Sequence, residues 1–290
     1  MALNLPGDPT PRPSSPPRMA EVAPGSVGFS ALLRPLLPDG PWEHRLLHAG
    51  GTRFHVALAG HRNPGPLLLV LPDVGRTWWS WRRVLPLLAG AGHRVAALDP
   101  RGTGATDKTP HGYRACDRIR DVLAVAGALG APVVLVGHGW SGLTARAAAT
   151  RVPELVAALA LVAAPDPARL QGYRRLTGAA RFGAVGLGPS RLARWAGWPH
   201  LPTDAPCRVG LTDWPGPQRA VAPLRHAPPR PVAGHPDVPT LRLAGSDDRL
   251  LPCLPDGAVR LEGGHWLPEE APEPLAMALS GWLSGLDLRR

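Results

Sequence analysis

The chain has 290 residues, 44% of them hydrophobic, and a formal net charge of +10. That length allows one large domain, or a core with a small insert, and the apolar share is enough for a real core. No apolar run reaches the ~18–20 residues of a membrane-spanning helix. The cysteines, Cys116, Cys207 and Cys253, show no paired or metal-ligand spacing, which points to a reduced cytoplasmic setting with no metal and no cofactor.

In chain order, residues 1–40 are rich in Pro, Ser and Gly and carry no sustained period. They read as a disordered tail without the features of a signal peptide. Met19 is a candidate start that would leave residues 1–18 untranslated. WEHRLLHAGGTRFHVALAG (42–60) then predicts a β-hairpin. PLLLVLP (66–72) predicts a strand buried on both faces. WWSWRRVLPLLAGAG (78–92) reads as a helix in spite of Pro86, and HRVAALDP (93–100) as the next strand.

DRIRDVLAVAGALG (117–130) has helical spacing and a glycine stop. PVVLVGH (132–138) predicts a further buried strand, with a helix continuing over 143–151 and a strand over 156–165. The alternation implies a parallel sheet with helices on both faces. It breaks over 166–237, a segment with ten Arg and four Asp and neither Glu nor Lys. No nucleic-acid motif accompanies that charge; the segment reads as a solvated basic surface, with attraction of acidic ligands or an anionic surface the alternative. Strands over 239–248 and 257–265 and a helix over 273–286 complete the pattern. The domain reading is a tail (1–40), two core halves (41–165 and 238–290) and, between them, a cap or lid (166–237) over the carboxyl ends of the strands.

One turn carries most of the chemistry. Gly137-His138-Gly139-Trp140-Ser141-Gly142 follows a strand and opens a helix, with small residues on either side. Such a turn exposes its central residue and aims backbone N–H groups at a developing oxyanion. Downstream, Asp247 and Asp248 follow one strand and His265 follows the last. A histidine so placed is a candidate general base, and either aspartate could orient it.

From about residue 42 to 286 the chain resembles the α/β-hydrolase superfamily, in its epoxide-hydrolase-like and haloalkane-dehalogenase-like branch. WWSWRRVLPLLAGAGHRVAALDPRGTGATDKTPHGY (78–113) is similar to that branch's stretch from the oxyanion loop through its DxRGxGxSDxPxxY segment. GHGWSG resembles its GHDWGG elbow, GSDDRLLP its acid loop and GGHWLPEEAPE its histidine segment. The resemblance implies an α/β-hydrolase fold, with a mostly parallel eight-stranded sheet and a short cap insert. It implies Asp248 and His265 as the catalytic pair, acting in that branch on an ester formed by an elbow aspartate. It also implies a small apolar molecule as the partner.

The chain departs from that pattern at the elbow centre, where Gly139 replaces the nucleophile and cannot form a covalent intermediate. The branch's His-Gly-Phe-Pro oxyanion loop aligns with Pro72-Asp73-Val74-Gly75. The N–H groups of Val74 and Trp140 are the expected oxyanion hole, and an inward-facing Asp73 would repel an oxyanion. Tyr173 and Trp79 are the pocket candidates. Ser141 and Asp166 are weaker substitutes for the missing group, and His138 reads as a neutral filler of the turn. Two functions remain open at this point: hydrolysis of a small epoxide, ester or halide by His265-activated water, or a catalytically inactive pseudo-hydrolase that binds a small ligand or a protein.

Overall fold

A computed structural model describes residues 36–166, 236–249 and 256–287. The expected tail up to residue 35, and the cap over 167–235, lie outside the described residues. The predicted hairpin forms from β1 (Glu43–Ala49) and β2 (Thr52–Ala59), joined at Gly50 and Gly51. Then come β3 (Leu67–Leu71), α1 (Val84–Gly90), β4 (Arg94–Leu98), α2 (Ala115–Ala128), β5 (Val133–His138), α3 (Trp140–Arg151) and β6 (Val156–Val162). Beyond residue 235 follow β7 (Thr240–Gly245), β8 (Val259–Leu261), a single turn α4 (Leu267–Glu270) and α5 (Pro272–Ser284). No helix among the described residues is long and apolar enough to cross a membrane.

The eight strands lie in the order β1-β2-β4-β3-β5-β6-β7-β8. The first two pairings are antiparallel and the other five parallel. Central strands are apolar throughout because each face has its own core. Leu67, Leu69 and Leu71 of β3 and Val133 and Leu135 of β5 pack against α2 and α3. Leu68, Val70, Val134 and Val136, one step out of phase, pack against α1 and α5. This period of two is the strand pleat itself. Truncating a fully buried member such as Leu135 to Ala costs about 2–5 kcal/mol.

Three predicted elements take a different form. The helix expected over 78–92 divides into a 3-10 turn, Trp78–Trp81, and α1. Pro86 is the third residue of α1, in the first turn, where its missing N–H has no helical partner to lose. The last helix starts one residue early, after α4. The strand expected over 257–265 shrinks to three residues at the sheet edge. Gly263 and Gly264 there turn the chain back towards β7, with the Asp247 N–H bonded to the Gly263 carbonyl.

From β3 the chain leaves to α1 on one face, and from β5 to α3 on the other. Adjacent parallel strands whose connections diverge open a crevice at their carboxyl ends. The loops beginning at Pro72 and Gly139 line this crevice.

Candidate active site

The turn after β5 is a tight one. Gly139 has φ 53° and ψ −129°, a conformation that suits glycine. Its N–H donates to the Val162 carbonyl, and its own carbonyl accepts from Gly142 N–H at 3.0 Å. Beneath it, β5 and α3 approach so closely that a Cβ on Gly137 would lie 2.6 Å from the Gly142 Cα. Small residues flank the turn because the helix packs back on its own strand.

A side chain from a different loop fills the space above Gly139. A Cβ built on Gly139 would meet Asp73 Cγ at 2.2 Å and both carboxylate oxygens at 2.4 Å. Asp73 faces inward and is 5% exposed. Its Oδ1 accepts the Val74 N–H and the Trp140 N–H, each at 2.7 Å. These are the two donors expected to form an oxyanion hole. Asp73 does face inward, and its carboxylate occupies the expected oxyanion position rather than standing beside it.

The other oxygen, Asp73 Oδ2, lies 3.2 Å from His265 Nε2. His265 Nδ1 lies 2.9 Å from Asp248 Oδ2, whose side chain is fully buried. A continuous chain therefore runs Asp73–His265–Asp248. Asp247 instead is exposed and faces Arg249. Geometry thus selects Asp248 from the two adjacent aspartates.

Burial works against charge on His265, but hydrogen bonds and charge from Asp248 and Asp73 prevail and raise its pKa to about 9. Burial likewise opposes the Asp73 carboxylate, yet the hydrogen bond and charge of His265 hold its pKa below the ordinary value. At neutral pH the resting site holds a protonated His265 against the Asp73 carboxylate.

His138 is buried, and burial brings its pKa down to about 4, so it is neutral. Its Nε2–H donates to the His265 carbonyl at 2.9 Å. It supports the His265 segment, consistent with the expected filler role. Arg118 is also buried, which lowers its pKa to about 10, while Asp73 and Asp121 favour its charge. Its Nη2 donates to Thr144 Oγ1 at 2.7 Å.

A cavity of about 40 Å³ is lined by Val74, Gly75, Arg118, Ser141 and neighbours, but touches neither Asp73 nor His265. Ser141 is buried on that cavity, and no described hydrogen bond joins it to His265. Asp166 acts electrostatically on Arg146. Trp79 packs edge-on against Trp78 and Trp42, at 5.2 and 6.1 Å, under the Arg82 guanidinium. Tyr173 lies outside the described residues.

Sequence reasoning had not counted Asp73 as a site residue. The signal was a pair of exchanges: aspartate where the resembled oxyanion loop has glycine, and glycine where the resembled elbow has aspartate.

This sheet, with its diverging crossovers and glycine-framed turn, is the α/β-hydrolase fold, and residues 66–183 match the family described as "alpha/beta hydrolase fold". Within that class the homologues are epoxide-hydrolase-like. The chain is 37% identical over 130 residues to epoxide hydrolase B of Mycobacterium tuberculosis, covering 43% of this chain and 36% of that protein. It is 38% identical over 120 residues to human epoxide hydrolase 4, covering 40% and 33%. The aligned stretches thus span about a third of these relatives' length. An epoxide hydrolase from an endophytic Streptomyces superposes with a TM-score of 0.67 at 25% identity, covering 85% of this chain and 96% of that one.

Proposed function

We propose that the chain hydrolyses a small apolar electrophile, an epoxide, ester or organic halide, in the manner of an epoxide-hydrolase-like enzyme. The observation carrying this reading is the buried chain Asp73–His265–Asp248, with two backbone N–H groups converging on Asp73 Oδ1. Three ionisable groups linked through His265 in a buried chain are expensive to bury without a use. His265 Nε2 is the proton-moving atom, and Asp248 fixes the ring by accepting Nδ1–H. Val74 and Trp140 stabilise negative charge on the oxygen between them. Sequence homology to epoxide hydrolases supports the substrate class.

The test is a panel of epoxides, haloalkanes and activated esters, given to wild type and to His265→Ala, with products identified by mass spectrometry. Turnover that collapses in the variant supports the reading. No turnover by two folded proteins leaves the non-catalytic alternative, a ligand-binding relative of the hydrolases. Equal turnover in both removes His265 from the mechanism.

A further inference from the structure

We propose that Asp73 is the catalytic nucleophile, a carboxylate carried sideways from the elbow turn to the loop of the neighbouring strand. The inference rests on the hydrolase reading above. It begins from the sheet register. In the parallel pairing of β3 with β5, Leu71 is the partner of Gly137. Asp73 stands two residues beyond Leu71, and Gly139 two beyond Gly137. The two positions are therefore equivalent across one strand spacing, about 4.8 Å. That is within reach of an aspartate side chain directed sideways. The carboxyl group of Asp73 fills the volume a side chain on residue 139 would need. It also accepts the Trp140 N–H of the turn and the Val74 N–H of its own loop, and touches His265.

The two oxygens of Asp73 have different surroundings. Oδ1 is fixed by two N–H donors, which suit it to carry charge in a tetrahedral intermediate. Oδ2 has His265 as its one described partner and is the oxygen available to attack. With an epoxide, an Oδ2 lone pair forms a bond to a ring carbon and the C–O bond breaks. The alkoxide takes a proton from solvent, leaving a hydroxyalkyl ester on Asp73, and His265, no longer facing the Asp73 charge, releases its own proton to solvent. Water then gives a proton to His265 Nε2 and adds to the ester carbon, placing negative charge on Oδ1. Collapse expels the diol oxygen, which takes the proton back from His265, and the proton left on the Asp73 carboxyl then passes to His265 to restore the resting pair. The sum is epoxide plus water giving diol.

This order also resolves a difficulty of direct attack by water. In the resting site His265 already carries its proton, held there by two carboxylates. Forming the ester removes the charge of Asp73, one of the two groups that raise the His265 pKa. The imidazole can then lose its proton and serve as base for the second step only after the first is complete.

The deciding experiment is a single turnover with wild-type enzyme in excess over its best panel substrate, run in water labelled with heavy oxygen. The proposal expects an unlabelled product and label in the peptide containing Asp73. Label in the product from the first turnover, with none at Asp73, means direct attack by water and overturns the proposal while leaving the hydrolase reading intact. Label in another carboxylate places the nucleophile elsewhere and overturns it as well. No turnover of any panel member removes the hydrolase reading and this proposal together.

An exchange of the two residues gives an independent check. Asp73→Gly is expected to lower turnover at least about a thousandfold. Adding Gly139→Asp in the same chain is expected to restore part of it, because the carboxylate re-enters the same space. Asp73→Gly with wild-type turnover refutes the role of Asp73. If that variant does not fold, the labelling result on wild type decides.

Discussion

Gly139→Ala tests the close approach on which the site depends. A Cβ at this position lies 2.2 Å from Asp73 Cγ, far inside van der Waals contact, so Asp73 must move. Overpacking of this kind costs about 1–3 kcal/mol. The backbone adds its own penalty. At φ 53° an L-residue pays roughly 1–2 kcal/mol that glycine does not. The expected loss is therefore about 2–5 kcal/mol, read as a lower urea midpoint with unchanged slope.

Only the steric part depends on Asp73. A double-mutant cycle with Asp73→Gly should then return a favourable coupling of about 1–3 kcal/mol, leaving the backbone part behind. A Gly139→Ala variant as stable as wild type would refute the packing of Asp73 over the turn. Additive effects of the two substitutions would show that the residues do not share a space.

Further outcomes concern pH and neighbouring residues. The His265 pKa, raised to about 9 against 6.5, contributes stability that is complete below pH 6.5 and is lost as pH rises through 9. The shift corresponds to about 3 kcal/mol, and His265→Gln should flatten the alkaline limb of a melting-temperature profile. His138 acts with the opposite sign, because its folded pKa of about 4 lies below 6.5. Stability should fall as pH drops from 6.5 through 4, and His138→Asn should flatten that acid limb. Asp99 is fully buried and accepts from Trp78 N–H, Ala105 N–H and the His55 ring. Asp99→Ala should cost about 3–5 kcal/mol in urea unfolding by leaving these groups unpartnered. Ser141→Ala should leave turnover within about twofold, since a buried serine away from His265 has no part in attack; a large loss would return it as a candidate.

The sheet was legible because its signals are local. The short apolar runs of β3 and β5, bounded by prolines and glycines, predict strands buried on both faces, and the glycines around residue 139 fit a tight strand-to-helix turn. Element ends were less legible, since Pro86 reads as a breaker until its place in a first turn is known. The shortness of β8 depends on its edge position, which no local pattern records.

In the site, the resemblance to the acid, histidine and oxyanion segments pointed to Asp248, His265 and the two N–H donors, and these groups converge in space. Asp73 was not found this way, because the direction of a loop side chain is set by what it meets across the sheet. The chain separates residues 73 and 139 by more than sixty positions, and only the pairing of Leu71 with Gly137 makes them neighbours. Reading each motif alone gives a lost nucleophile and an intrusive charge. Reading the two positions together gives one carboxylate in one space.

The backbone at Gly139 has a consequence for how the site is supported. An elbow that bears a side chain forces a non-glycine residue into a left-handed conformation and keeps it there. Here glycine adopts that conformation without steric cost, and Asp73 is absent from the positive-φ residues, among which Ala163 is the sole described non-glycine. The reactive group and the conformationally demanding turn have been separated onto different strands. The turn retains its work of aiming the Trp140 N–H, while the acid is mounted on relaxed chain. Stabilising the helix start and tuning the carboxylate thus become independent operations, as they are not when one residue must do both.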